Sequence, residues 1–189
     1  MAVLAETAFH ERGAPAPVPN EPFRWTKCGD RLECGTFAVP LNHSEPFGRQ
    51  IILALIKYAS LSPNSRGPLF TNPGETGYGV ALVRDAGAML SMLLGNRYDI
   101  IGVDPRGMGA SNPAVLFARE KARANLCVKY AGDILPFIST ASTLRDFDLI
   151  RAAIGQPLFN YWGVSYGTFI GTIYSQMFPQ NVGRMVLDG

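Results

Sequence analysis

The chain has 189 residues, 47% of them hydrophobic and 17% charged, with a formal net charge of +2. That length carries one domain with a real core, and that balance belongs to an ordinary globular protein, not to a disordered one. So small a charge gives no electrostatic case for nucleic acid or an anionic membrane surface, and no run approaches the roughly 18 apolar residues of a membrane span.

Residues 1–22 are rich in Ala and Pro without periodicity and read as a flexible lead-in to a domain over 23–189. The opening MAVLAETAFHERG has neither a basic start nor the apolar run of a signal peptide, so a cytoplasmic location is expected. There Cys28, Cys34 and Cys127 would be free thiols, although Cys28 and Cys34 are spaced to bridge a short loop in an oxidising compartment. Residues 36–39 and 50–58 (QIILALIKY) are β-prone and flank a Pro/Asn/Gly-bearing turn, predicting an antiparallel pair. His43 falls in that turn and is expected to be exposed.

A buried strand over 68–71 leads into the loop Asn72-Pro73-Gly74-Glu75-Thr76-Gly77, and an apolar helix over 80–94 is closed by Gly95 and Asn96. A strand over 98–103 (YDIIGV) runs into Asp104-Pro105-Arg106-Gly107-Met108-Gly109. A helix is expected over 113–130, with Arg119, Glu120, Lys121, Arg123 and Lys129 as a solvated face. A further helix starts around Ser142-Thr143, aligns Leu144, Phe147, Ile150 and Ile154 on one face, and stops at Gly155 and Pro157. A strand over 159–164, a helix over 166–178 and a strand over 184–187 complete six predicted strands. From residue 68 strand and helix alternate, which defines an α/β fold with a mostly parallel sheet and helices on both faces. A sheet that stops at the sixth strand leaves an open apolar edge through which copies can associate.

The chemistry concentrates in Tyr161-Trp162-Gly163-Val164-Ser165-Tyr166-Gly167-Thr168, where a strand ends in Gly-x-Ser-x-Gly and a helix begins at once. A turn that sharp admits only small neighbours two residues to either side of the serine, lifts its Oγ above the sheet, and aims the new helix's free N–H groups at the reacting centre. The N–H of Tyr166 is then placed to stabilise an oxyanion, with the loop after the strand at 68–71 as the source of a second donor. The Gly-rich segments carry neither a Gly-Lys-Ser/Thr ending nor a Gly-x-Gly-x-x-Gly fingerprint, and Cys28 and Cys34 lack metal-site spacing. No cofactor and no metal are expected.

These stretches, together with Phe23-Arg24-Trp25, Thr36-Phe37-Ala38-Val39-Pro40-Leu41, Gly67-Pro68-Leu69-Phe70-Thr71-Asn72-Pro73-Gly74 and Val186-Leu187-Asp188-Gly189, resemble α/β-hydrolases of the tripeptidyl and prolyl aminopeptidase kind, especially fungal serine peptidases. The resemblance implies Ser165 as nucleophile, Tyr166 as oxyanion donor, and Asp104, Arg106 and Gly107 as a structural turn. Two departures stand out. Glu75 and Thr76 replace a Gly and a Pro of the family's oxyanion loop, and a carboxylate there would oppose a developing oxyanion by several kcal/mol in a poorly solvated site, roughly. The stretch from Pro113 to Cys127 is also shorter than the family's.

In this fold an acid and then a histidine follow the serine. After Ser165 the chain has one acidic residue, Asp188, which reads as a turn or cap residue, and no histidine; the only two are His10 and His43. The resemblance therefore implies the front part of a hydrolase domain, without its last strands and lid. Three functions follow: a serine hydrolase cleaving peptide, amide or ester bonds through an acyl-serine; an inactive truncated scaffold; or an esterase- or thioesterase-type enzyme of fungal small-molecule biosynthesis.

Overall fold

The β-branched and aromatic runs form one seven-stranded sheet in the computed structural model, which describes residues 23–74, 78–111 and 132–189. Its strands are β1 (Thr26–Lys27), β2 (Leu32–Pro40), β3 (Gln50–Tyr58), β4 (Pro68–Asn72), β5 (Asp99–Val103), β6 (Phe159–Val164) and β7 (Val182–Asp188). They lie in the order β1-β2-β3-β5-β4-β6-β7. The first four positions pair antiparallel, and β5, β4, β6 and β7 run parallel. The expected opening pair is present, with Pro40 opposite Gln50 and Leu32 opposite Tyr58. The two-residue β1 is a strand beyond the six predicted.

Among the described residues three long helices cover the sheet: α1 (Gly79–Leu93), α2 (Thr140–Ala153) and α3 (Tyr166–Met177). Short 3₁₀ turns at Leu135–Phe137 and Pro179–Asn181 lead into α2 and β7. α1 buries Val80, Val83 and Leu90 against Ala54, Ile56 and Ile100 on one face. On the other face Leu144, Phe147 and Ile150 of α2 and Ile170 and Tyr174 of α3 close over Leu53, Phe70, Ile101 and Phe159. Parallel strands buried on both faces read as near-continuous apolar runs, which is why β4 and β5 show no alternation.

The helix ends follow local chemistry. Ser139 caps α2, its Oγ accepting the Ser142 N–H at 3.1 Å, and Gly155 at φ 73° follows its last turn. α1 has no side-chain cap of its own. The Oδ1 of Asp104, beyond β5, accepts the Val80 N–H at 3.0 Å, while Oδ2 accepts the Ala110 N–H at 2.8 Å. Burial raises the Asp104 pKa, and those two amides and Arg84 act in the opposite sense.

Two expectations are corrected. Cys28 and Cys34 are joined in a disulfide, Cα to Cα 5.8 Å, because the β1–β2 hairpin brings them together across a separation of six residues. His43 is not exposed: its side chain is 15% accessible and meets a buried ion pair, as described below. The helix expected over 113–130, its basic residues and Cys127 lie outside the described residues, as do the lead-in and His10.

Candidate active site

β6 ends at Val164 and α3 starts at Tyr166, so Ser165 alone makes the turn, at φ 54° and ψ −123°. This is left-handed backbone that a side-chain-bearing residue adopts only where its surroundings enforce it. The enforcement is steric. A Cβ on Gly163 would stand 2.3 Å from the Gly167 carbonyl oxygen, and one on Gly167 would stand 2.6 Å from the Asn72 carbonyl oxygen. The two glycines thus let β6, α3 and the end of β4 meet at one point. Ser165 is itself exposed. Its N–H donates to the Asp188 carbonyl at 3.0 Å, and its own carbonyl accepts the Thr168 N–H at 2.8 Å.

The loop after β4 arrives at the serine. Asn72 Oδ1 accepts the Gly74 N–H at 2.9 Å, and Gly74 takes φ 97°. A Cβ there would lie 2.9 Å from Ser165 Cβ and 3.1 Å from the Tyr166 nitrogen. The Tyr166 N–H belongs to the first turn of α3, where amides have no intrahelical acceptor, and it faces this loop. The next residue, Glu75, lies outside the described residues. The Tyr166 hydroxyl meets Thr140 Oγ1 at 2.5 Å, linking the elbow to the start of α2.

No histidine bonds to Ser165 among the described residues. His43 Nε2 lies 2.9 Å from Asp146 Oδ1 and 2.9 Å from Arg106 Nη2. The Arg106 guanidinium, 1% exposed, forks onto Asp146 at 2.7 and 2.6 Å and also donates to the carbonyls of Pro40, Leu41 and Phe137. One buried cation thereby fastens the end of β2, the turn after β5 and α2. The sequence marked Arg106 only as part of a turn and passed over Asp146. A carboxylate on the same stripe as Thr143, Phe147 and Ile150 was the available signal for a buried pair. Asp188 contributes its carbonyl to the ladder and keeps an exposed side chain. An apolar cavity of about 370 Å³, lined by Leu93, Leu94, Trp162, Arg184 and Val186 among others, does not include Ser165. Among the described residues no cluster of three or more His, Cys, Asp or Glu could hold a metal, and no helix is long and apolar enough to cross a membrane.

A nucleophile-elbow geometry on a mostly parallel sheet with helices on both faces defines the class, and the alpha/beta hydrolase fold family matches residues 67–189. The chain belongs to that family. Its relatives include a tripeptidyl aminopeptidase of Streptomyces lividans, 35% identical over 83% of this chain and 35% of that protein. A serine protease of Mycobacterium tuberculosis is 32% identical over 92% of this chain and 40% of its own length. Carboxylesterase B of the same species is 32% identical over 94% and 41%. The chain thus spans about 35% to 41% of the length of these relatives. They are bacterial, which corrects the expectation of fungal kin. Among solved structures, juvenile hormone epoxide hydrolase from Bombyx mori superposes with a TM-score of 0.54 at 16% identity, covering 81% of this chain and 34% of that one. An epoxide hydrolase from an endophytic Streptomyces gives 0.52 at 13% identity, covering 83% and 37%. At such identities the likeness concerns the fold alone.

Proposed function

We propose that this chain carries the nucleophile half of an aminopeptidase-like serine hydrolase, with Ser165 attacking peptide, amide or ester carbonyls. The observation that carries the reading is the elbow itself: a serine at φ 54° between β6 and α3, with Gly74 packed against its Cβ. In the reaction the Ser165 Oγ–carbonyl bond forms, the oxyanion takes a hydrogen bond from the Tyr166 N–H, and the leaving amine or alcohol departs with a proton. Water then cleaves the acyl-serine. Peptide bonds are favoured as substrate by the peptidase names of two relatives, and ester bonds by the carboxylesterase.

The proton needs a base, and His43 is committed to Arg106 and Asp146. We place the acid and the histidine in sequence of the kind that the longer relatives carry beyond the matched third. A serine without them retains roughly 10³–10⁴-fold acceleration from the oxyanion hole and binding. A second reading is an inert scaffold, supported by His43 bonding Asp146 and Arg106 instead of Ser165. The Cys28–Cys34 disulfide supports an oxidising compartment over the cytoplasm.

Labelling by a fluorophosphonate, read by intact mass beside Ser165→Ala, tests the proposal. A Ser165-dependent adduct on the folded chain supports an activated nucleophile, and no adduct on a demonstrably folded chain leaves the scaffold reading.

A further inference from the structure

Two tyrosine hydroxyls hold the first turn of α3. Tyr161, fully buried on β6, donates its hydroxyl to the Gly167 carbonyl at 2.8 Å and ties the turn to the sheet. Tyr166 reaches toward α2: its ring lies against the core and stacks on Phe169, centroids 5.9 Å apart, and its hydroxyl meets Thr140 Oγ1 at 2.5 Å. Thr140 is a firm anchor. It opens α2 directly after Ser139, whose carbonyl accepts the Thr143 N–H at 3.0 Å and whose Oγ accepts the Ser142 N–H. The residues before it are fixed as well. The Phe137 carbonyl accepts from the buried Arg106 guanidinium at 3.2 Å, and the Phe137 N–H donates to the Ile134 carbonyl at 2.8 Å.

We propose that Thr140 is a positioning residue of the elbow, holding through the Tyr166 hydroxyl the peptide plane whose N–H receives the oxyanion. This rests on the reading of Ser165 as nucleophile and extends it to α2. The plane joins Ser165 to Tyr166, and Ser165 sits at φ 54° and ψ −123°, a conformation that its own backbone preference does not hold. With its Cα in the helix and its hydroxyl on Thr140, the Tyr166 side chain is fixed at both ends, and the plane has little freedom to turn. A hydrogen-bond donor stabilises developing charge best when it is aimed before the charge appears, so such a tether acts on the chemical step and not on binding. Were the hydroxyl pair only packing α2 on α3, its loss would lower stability and leave the labelling of folded protein alone.

Saturation kinetics of fluorophosphonate labelling separate the two. Thr140→Val keeps the shape of the side chain without the hydroxyl and is expected to lower kinact at Ser165 by roughly three- to tenfold, with KI unchanged. Tyr166→Phe should match it, and the double variant should lose no more than either alone. Thr140→Ser, which keeps the hydroxyl, should label as the parent does. Urea midpoints taken alongside give the folded fraction, so that loss of fold is not read as loss of position. Hydrogen exchange needs no probe: the Ser165 and Thr168 amides, bonded to the Asp188 and Ser165 carbonyls, should exchange several-fold faster in Thr140→Val than in the parent or Thr140→Ser. Equal kinact in parent and valine variant, a serine variant no better than the valine one, additive losses in the double variant, or elbow amides that exchange alike throughout would overturn the assignment. A parent that takes no label sinks the hydrolase reading of this chain instead, and the amides then decide the tether by themselves.

Discussion

Ser165 holds a backbone conformation that its side chain disfavours, and the cost is borne by the packing of Gly163, Gly167 and Gly74 around it. Removing the Cβ should therefore stabilise the fold: Ser165→Gly is expected to gain about 1 kcal/mol in urea unfolding while abolishing fluorophosphonate labelling. Gly163→Ala should do the reverse, losing about 3 kcal/mol, because its methyl would press into the Gly167 carbonyl. Asp148 shows the same residue-level logic in charge. Burial raises its pKa, but hydrogen bonds from Arg151 at 2.8 Å, Tyr174 at 2.7 Å and Asn181 at 2.8 Å outweigh burial and hold it below the ordinary carboxylate value. A depressed folded-state pKa contributes stability above the unfolded-state value and loses it as pH falls through the folded one. Asp148→Asn should thus be less stable by about 1–3 kcal/mol at neutral pH, and urea midpoints of the two proteins should converge as pH falls through the folded-state value.

At the scale of elements, the helices are held by contacts from outside themselves. α1 borrows its cap from Asp104, and α2 is held to the end of β2 by Arg106 and Asp146. Asp146→Ala leaves a buried guanidinium without its counter-charge and should cost about 3–5 kcal/mol in thermal or urea unfolding. It should also loosen the start of α2, where Thr140 meets the Tyr166 hydroxyl, so slower labelling of Ser165 is expected in whatever fraction stays folded. The β1–β2 hairpin rests on its disulfide, since two-residue β1 has few contacts of its own. Cys28→Ser/Cys34→Ser should lose about 2 kcal/mol, the value expected for a loop this short, in denaturant unfolding under non-reducing conditions.

For the whole molecule, β7 is tied both to β6 and to the elbow. The strand's last rung is the bond from the Ser165 N–H to the Asp188 carbonyl, so the end of β7 steadies the elbow.

The strands at 50–58, 68–71 and 159–164, three of the helices and the elbow at Ser165 were legible in the chain, because apolar runs, breakers and the Gly-x-Ser-x-Gly spacing act over a few residues. The sequence by itself therefore determined the fold class and the position of the serine. The disulfide was legible only as the lesser of two readings, and the burial of His43 and the Arg106–Asp146 clamp were not legible. Each joins segments whose meeting is set by the hairpin register or by how α2 packs on the sheet, 40 residues separating Arg106 from Asp146. Tertiary structure alone decided that the one histidine among the described residues serves that clamp, because a buried guanidinium and carboxylate claim its ring nitrogen.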